Sequence, residues 1–432
     1  MVEGLKGFRT VYPDEMARRR WIIDTLEATA RAYGFVEVGT PALERTQLYV
    51  DKSGPGIVDE LYSFTDKGGR EVSLTPELTP TVARMVVERQ QAMSKPIKWV
   101  STRPFWRYEQ VQRGRFREFY QTNIDIFGSA EPMADAEVLA VAADGLAALG
   151  LGAEQVEFRI SHRAILTGLL DALCPDADHT AAVRAIDKRD GLEEQAYLDA
   201  LAAAGIAAAE ADELDGLLTG GDLDAVAAAG GPAVADAVAN LRAVLEAVAQ
   251  LGADAVCRVD LQTARGLDYY TGLVFECFDT MGAVDRSIFG GGRYDGLIEA
   301  MGGQPTPAVG VAPGLAPLSL ACATAEVGPT TAPSPTYYLL TVGEVWATAA
   351  PIAQALRELG HTVEVDVAGR SFGAQLDYAD AVGAETVIII GERDLAAGEV
   401  TIKDMRTGAQ TSAPVDAVPG PHERPTVADY DG

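Results

Sequence analysis

A chain of 432 residues is too long for one ordinary core, so two or three domains are expected, and 48% hydrophobic residues supply the material to pack them. Against 63 Asp and Glu stand 35 Lys and Arg, a formal charge of −28, and no stretch approaches the eighteen apolar residues of a membrane-spanning helix. The four cysteines are scattered without a CxxC pair, which argues against a disulfide framework and against a zinc site.

The first residues, MVEGLKGFRTVYPDEM, carry no apolar signal core, so a cytoplasmic protein with no membrane partner is expected. DEMARRRWIIDTLEATARAYGF follows as an amphipathic helix, with Ile22, Leu26, Ala30 and Tyr33 on one face, Asp14 as its cap and Gly34 as its stop. FVEVGTPALE reads as a strand interrupted at Pro41, which must lie at an edge or a break. VSLTPELTPTVARMVVERQQA gives a strand and then a helix, with Thr79 as N-cap and Pro80 at the first helical position.

The stretch FWRYEQVQRGRFREFYQTNIDIFG, from Phe105, is unusual in so acidic a chain. Arg107, Arg113, Arg115 and Arg117 crowd together with Arg103 just upstream, interleaved with aromatic residues. STRPFWRYE and REFYQTNIDIFG read as two antiparallel strands joined by the short connection QVQRGR, with cations near the tip and along one arm. Alternation puts Phe119, Gln121, Asn123 and Asp125 on one face of the second strand, and Tyr120, Thr122, Ile124 and Ile126 on the other. Short amides and an acid in line suit the floor of a polar pocket better than a solvated face, which favours long charged side chains.

From about Cys174 to Gly252 the sequence turns Ala-rich, acidic and helical, an insertion between sheet-forming parts. VCRVDLQTARGLDYYTGLVFECFD resumes the sheet. Within it, Arg265 followed by Tyr269 and Tyr270 offers either an anion clamp with phenol hydroxyls or simply a strand with stacked tyrosines. FGGGRYDGL matches neither a P-loop nor a dinucleotide fingerprint; a tight turn into a helix is its plainer reading. ATAEVGPTTAPSP is a linker, after which TYYLLTV, HTVEVDV and ETVIIIG alternate with helical segments as a small α/β domain with a mainly parallel sheet. Residues from about Pro419 are polar and Pro-rich and are expected to be poorly ordered. The acidity extends over most of the length, and at about 1 M salt a Debye length of roughly 3 Å removes most of its self-repulsion. This pattern points to a protein adapted to high intracellular salt; an ordinary acidic protein is the alternative.

LTPELT, the arginine hairpin, ARGLDYYTG, FGGGRYDGL and the C-terminal α/β domain occur in the order found in histidyl-tRNA synthetases, a class II group, and the resemblance covers the whole chain. The overall wording is similar to the haloarchaeal branch. The resemblance implies an α+β catalytic core with a mixed, mainly antiparallel sheet, in two parts (1–173 and 253–322), around a helical insertion (174–252). A linker (323–335), an anticodon-binding-like α/β domain (336–418) and a tail (419–432) follow. It also implies a homodimer, with the first helix and the Pro41 region at the interface, acting on L-histidine, on ATP with Mg²⁺ and on tRNA(His).

Carried over residue by residue, the resemblance implies that Arg107 grips the ATP α-phosphate, Glu109 reads the adenine amino group, Phe119 stacks on the adenine and Arg115 reaches the distal phosphates. Glu77 and Thr79 meet the histidine α-amino group, Gln121 helps to seat the same substrate, and Asp125 accepts from the imidazole with Tyr269 and Tyr270 nearby. Arg265 contacts the α-phosphate and the substrate carboxylate. One departure stands out: the family's third motif ends in Glu-Arg, but PAVGVAPGLAPL has Ala316 and Pro317 there, removing one expected clamp on the far phosphates. Two other readings remain at this level. One is a synthetase-like histidine-sensing regulatory subunit of histidine biosynthesis, favoured by the missing arginine and disfavoured by the intact hairpin and the C-terminal domain. The other is a synthetase for a different amino acid, which would need a different pocket from Glu77, Gln121, Asp125 and Tyr269.

Overall fold

The computed structural model describes residues 3–50, 55–264 and 269–418. Two compact units divide the chain, Met1–Thr331 and Ala332–Gly432.

The first unit is built on an eight-stranded sheet. Its spatial order is Val36–Glu37, Ile97–Trp106, Glu118–Phe127, Ala308–Val311, Phe289–Arg293, Leu273–Asp279, Val156–His162 and Cys257–Val259. Only the outermost pair on each side is parallel, so the sheet is mixed and mainly antiparallel, as the sequence implies. Helices Pro13–Ala32 and Pro132–Ala148 cover one face, where Ile22, Leu26, Val138 and Leu146 bury against Ile124 and Ile126. On the opposite face Phe105, Phe127 and Tyr294 pack with Val82 and Val86 of helix Thr79–Arg89. The period of two along Glu118–Phe127 therefore sends Asp125 and Phe127 to the second face, which carries the site.

The Ala-rich region folds into helices His179–Asp187, Glu194–Ala203, Ala208–Thr219 and Leu223–Gln250. The last of these bends at Gly231, whose φ of 73° breaks the helix just before Pro232. It packs on Arg163–Leu173 and Pro132–Ala148, so the insertion shares its apolar core with the sheet rather than enclosing one of its own.

Several local expectations are corrected. The first helix begins at Pro13 with Tyr12 as its cap, and Asp14 lies in the first turn. Thr79 is the first residue of its helix, with Leu78 at the cap position and no capping side chain. The hairpin strands end at Trp106 and restart at Glu118, so the connection is longer than QVQRGR and folds on itself through a bridge between Gln112 and Arg115. Gly114, at φ 72°, makes that inner turn possible. FGGG is a buried strand rather than a turn, followed by the short helix Leu297–Ala300. A Cβ at Gly292 would lie 2.8 Å from the Tyr270 ring, so glycine lets the strand approach it. Helix Leu315–Thr324 runs past the sequence-based start of the linker at 323.

In the second unit Val363–Val365, Tyr337–Val342 and Thr386–Gly391 are parallel neighbours, as expected. The sheet is not mainly parallel, because Glu399–Asp404 and Gln410–Pro414 extend it as an antiparallel pair. The segment from 419 lies outside the described residues.

Candidate active site

Ten consecutive residue pairs join Ile97–Trp106 to Glu118–Phe127, with Ser101 opposite Asn123, Arg103 opposite Gln121 and Phe105 opposite Phe119. This long rigid ribbon is the floor of a polar pocket. Gln121, Asn123 and Asp125 line it from below, while Glu77, Thr79 and the Tyr269–Tyr270 pair close it from other parts of the chain. All six described residues expected to hold histidine, namely Glu77, Thr79, Gln121, Asp125, Tyr269 and Tyr270, thus border one cavity. The Tyr269 hydroxyl donates to Oε2 of Glu77 at 3.4 Å, and its ring lies 4.9 Å from that of Tyr270.

At the deep end Asp125 is 3% exposed. The Tyr294 hydroxyl donates to its Oδ1 at 2.5 Å. Burial pushes the Asp125 carboxyl from 3.8 up to about 7, and the tyrosine's hydrogen bond only partly counters it. The opposite residue in the sheet is Gly310, where any Cβ would collide with this same oxygen. Tyr294 was not among the residues singled out in the sequence, although it lies inside FGGGRYDGL. Asn123, which alternation places on the pocket floor without a specific ligand role, has its Oδ1 buried with no hydrogen-bond partner among the described residues.

Next to this pocket lies a second cavity, bordered by Arg107, Glu109, Arg115, Phe119, Arg286 and Pro317. The two cavities share Arg107 and Gln121. Arg107 donates from Nε to the Pro76 carbonyl at 2.9 Å, holds Nη1 3.7 Å from Glu109 and sits 5.6 Å from the centre of the Phe119 ring. Arg115 pairs directly with the other oxygen of Glu109. Burial pushes the Glu109 carboxyl up, but Arg115 and Arg107 outweigh it and hold the group below the usual carboxylate range. The expected ATP residues Arg107, Glu109, Arg115 and Phe119 are therefore gathered, with Glu109 and Arg115 facing each other in an ion pair.

The other arginines of the cluster are used differently. Arg103 is buried, contacts the Thr40 hydroxyl and stacks near Phe105. Arg117 donates to the Glu109 carbonyl at 3.1 Å and lies 3.8 Å from the Tyr108 ring centre. Arg113 borders a neighbouring crevice rather than either cavity. Arg265, expected at the α-phosphate, lies outside the described residues. Arg293 of GGGRYDGL grips Asp135 through two nitrogens, Nε to Oδ1 at 2.9 Å and Nη2 to Oδ2 at 2.7 Å. Its Nη1 reaches the Ser129 carbonyl at 2.9 Å, so the motif's arginine braces the sheet.

The model for histidyl-tRNA synthetases matches residues 7–318, and that for the anticodon binding domain matches 337–420. The chain belongs to the histidyl-tRNA synthetase family. It is 63% identical over 431 residues, 100% of each chain to the nearest percent, to a histidine–tRNA ligase of Halobacterium salinarum. With the ligase of Pyrococcus horikoshii it shares 36% over 427 residues, 97% of this chain and 98% of that one. A histidyl-tRNA synthetase from Nostoc has the same fold at a TM-score of 0.84 and 24% identity, covering 96% of this chain and 97% of that one. A Bacillus halodurans protein described as an ATP phosphoribosyltransferase regulatory subunit/histidyl-tRNA synthetase superposes at 0.77 with 21% identity, over 90% and 98% of the two chains. Fold alone does not separate ligase from regulator; family membership and full-length identity to ligases favour the ligase. The −28 charge and the likeness to Halobacterium salinarum agree on a salt-adapted protein.

Among the described residues no helix is long and apolar enough to cross a membrane.

Proposed function

We propose that this chain is a histidine–tRNA ligase, a cytoplasmic homodimer that activates L-histidine with ATP and then esterifies tRNA(His). The observation that carries the reading is the meeting of the two cavities at Arg107 and Gln121: a small polar pocket ending in a carboxylate opens beside an arginine-lined chamber floored by an aromatic ring. Histidine's imidazole enters toward Asp125 and its α-amino group toward Glu77 and Thr79. Its carboxylate then points to the shared arginine, where an α-phosphate would lie. Adenine stacks on Phe119, and Mg²⁺ arrives as the counter-ion of the ATP phosphates.

In the first step a carboxylate oxygen of histidine attacks the α-phosphorus. The bond from that phosphorus to the bridging oxygen breaks, and pyrophosphate leaves with the electron pair. Negative charge gathers on the α-phosphate oxygens, so the step calls for positioning and fixed positive charge more than for proton transfer. Arg107 is suited to this, since its Nε is anchored on Pro76 and its guanidinium is planar and always charged. Arg265 supplies the second charge on this reading. In the second step the terminal ribose hydroxyl of the tRNA attacks the acyl carbon, AMP leaves, and the hydroxyl proton passes to a phosphate oxygen or solvent. The C-terminal unit matches an anticodon-binding domain and would hold the far end of the tRNA.

Selectivity falls to Asp125, Tyr294 and Asn123. A pocket of buried hydrogen-bonding groups rejects an amino acid that leaves them unpaired by roughly 10⁴-fold or more. The test is histidine-dependent exchange of pyrophosphate into ATP in molar KCl. Exchange with histidine and none with phenylalanine or glutamine supports the assignment; absence of exchange with histidine overturns it.

A further inference from the structure

We propose that Arg286 holds the distal phosphates of ATP in this chain, in the place left without an arginine by Ala316 and Pro317. The proposal rests on the ATP reading above. Arg286 lies outside every stretch that the sequence marked, yet it borders the same chamber as Arg107 and Arg115. Its Nη2 donates to the Gly114 carbonyl at 3.0 Å. A Cβ placed on Gly114 would stand 3.9 Å from Cα of Pro317, so Arg286 and Pro317 flank the same turn. The fold thus brings a guanidinium to the neighbourhood where the third motif would have supplied one.

The loop that carries Arg286 is braced. The Asp279 carboxylate accepts from the backbone amides of Met281 at 3.1 Å and Val284 at 3.3 Å, and also from that of Ala283. One residue beyond Arg286, the Ser287 hydroxyl donates to Glu276 at 3.0 Å. A side chain projecting from so fixed a loop loses little freedom when it engages a ligand.

Charge is the second line of support. Among the described residues no carboxylate forms an ion pair with Arg286, although the protein as a whole is strongly acidic. Packing around the guanidinium and the nearby Arg115 charge hold it below its ordinary pKa. Two carboxylates face this group of arginines: Glu109, which is engaged by Arg115 and Arg107, and Glu60, close enough to feel both charges. Arg107, Arg115 and Arg286 still outnumber these two carboxylates, so the chamber keeps an excess of positive charge, and Arg286 is exposed to solvent. A polyphosphate is the ligand whose charge and length fit that excess: the α-phosphate at Arg107, the distal phosphates between Arg115 and Arg286.

The experiment measures binding of ATP, AMP and histidine separately by calorimetry in molar KCl, for wild type, Arg286→Gln and Arg286→Lys. Loss of a charge-assisted contact to a distal phosphate should weaken ATP by about tenfold or more. AMP and histidine, which do not reach that position, should bind within about twofold of wild type, and Arg286→Lys should retain part of the ATP affinity. Adding Pro317→Arg to Arg286→Gln should restore ATP binding. Equal losses for ATP and AMP would show that Arg286 merely supports the Gly114 turn, and unchanged ATP affinity would show that it does not touch the triphosphate; either overturns the proposal. The ATP-to-AMP comparison needs no turnover, so it judges Arg286 even if wild type failed the exchange test and the ligase reading fell.

Discussion

Asp125→Asn should weaken histidine binding and at the same time make the protein more stable above neutral pH. The carboxyl is buried, and its pKa stands at about 7 against 3.8 for the free group. Folding therefore favours its protonated form. The contribution of this group to stability is fully present below pH 3.8 and is lost as pH rises through about 7, and the loss is worth on the order of 4 kcal/mol. Asparagine keeps the shape and avoids the buried charge. Its amide leaves one donor unpaired in the empty pocket, a penalty of about 1–3 kcal/mol, so a net gain on the order of 1–3 kcal/mol remains at pH 8.5. Binding moves the other way. With Tyr294 on Oδ1, the second oxygen is left to accept from the imidazole, and losing a hydrogen bond to a charged acceptor weakens histidine by about 10- to 150-fold. Wild-type affinity should rise with pH through about 7 as that oxygen loses its proton, and the variant should lack this limb. Denaturant unfolding at pH 5 and 8.5, with histidine and ATP calorimetry at both, reads all of this in molar KCl. A variant less stable than wild type at pH 8.5, or one that loses ATP and histidine affinity equally, would refute the reasoning.

Three further outcomes are expected. Arg265→Ala should lower the turnover of histidine-dependent exchange by about 10²–10³ with little change in substrate affinity, as expected for charge acting on a developing oxyanion; intact exchange would remove Arg265 from the mechanism. Arg293→Ala strands the buried Asp135 carboxylate and should cost about 3–5 kcal/mol in denaturant unfolding, and a change under about 1 kcal/mol would contradict the bracing role. Because the net charge of −28 is unscreened in dilute buffer, the thermal midpoint should rise steeply between low salt and molar KCl, and a flat profile would rule out salt adaptation.

The floor of the polar pocket was legible because it is one strand. Alternation along Phe119, Gln121, Asn123 and Asp125 needs no distant information, and the out-of-phase Ile124 and Ile126 do bury on the other side. What the sequence hid was whatever reaches the site from afar. Tyr294 meets Asp125 across 169 residues and Arg286 meets Gly114 across 172, and no periodicity reports such pairings. The arginine cluster could be seen but not sorted, because whether a guanidinium faces a cavity or lies on an aromatic ring such as Tyr108 depends on how the irregular connection folds, which no periodicity reports. Helix starts slipped by one residue at Thr79 and by two at Asp14 because both are good capping types placed just inside their helices. The missed C-terminal pair, Glu399–Asp404 with Gln410–Pro414, had a usable signal in its alternation and in Gly408, whose φ is 74°.

Charging of tRNA tests the central claim most directly. Purified protein in molar KCl, with ATP, Mg²⁺, labelled histidine and tRNA(His), should place histidine on the terminal adenosine in an ester that alkali releases, with AMP and pyrophosphate formed in equal amounts. Histidine binding without any acylation of tRNA would contradict the ligase assignment and return the chain to a sensing role.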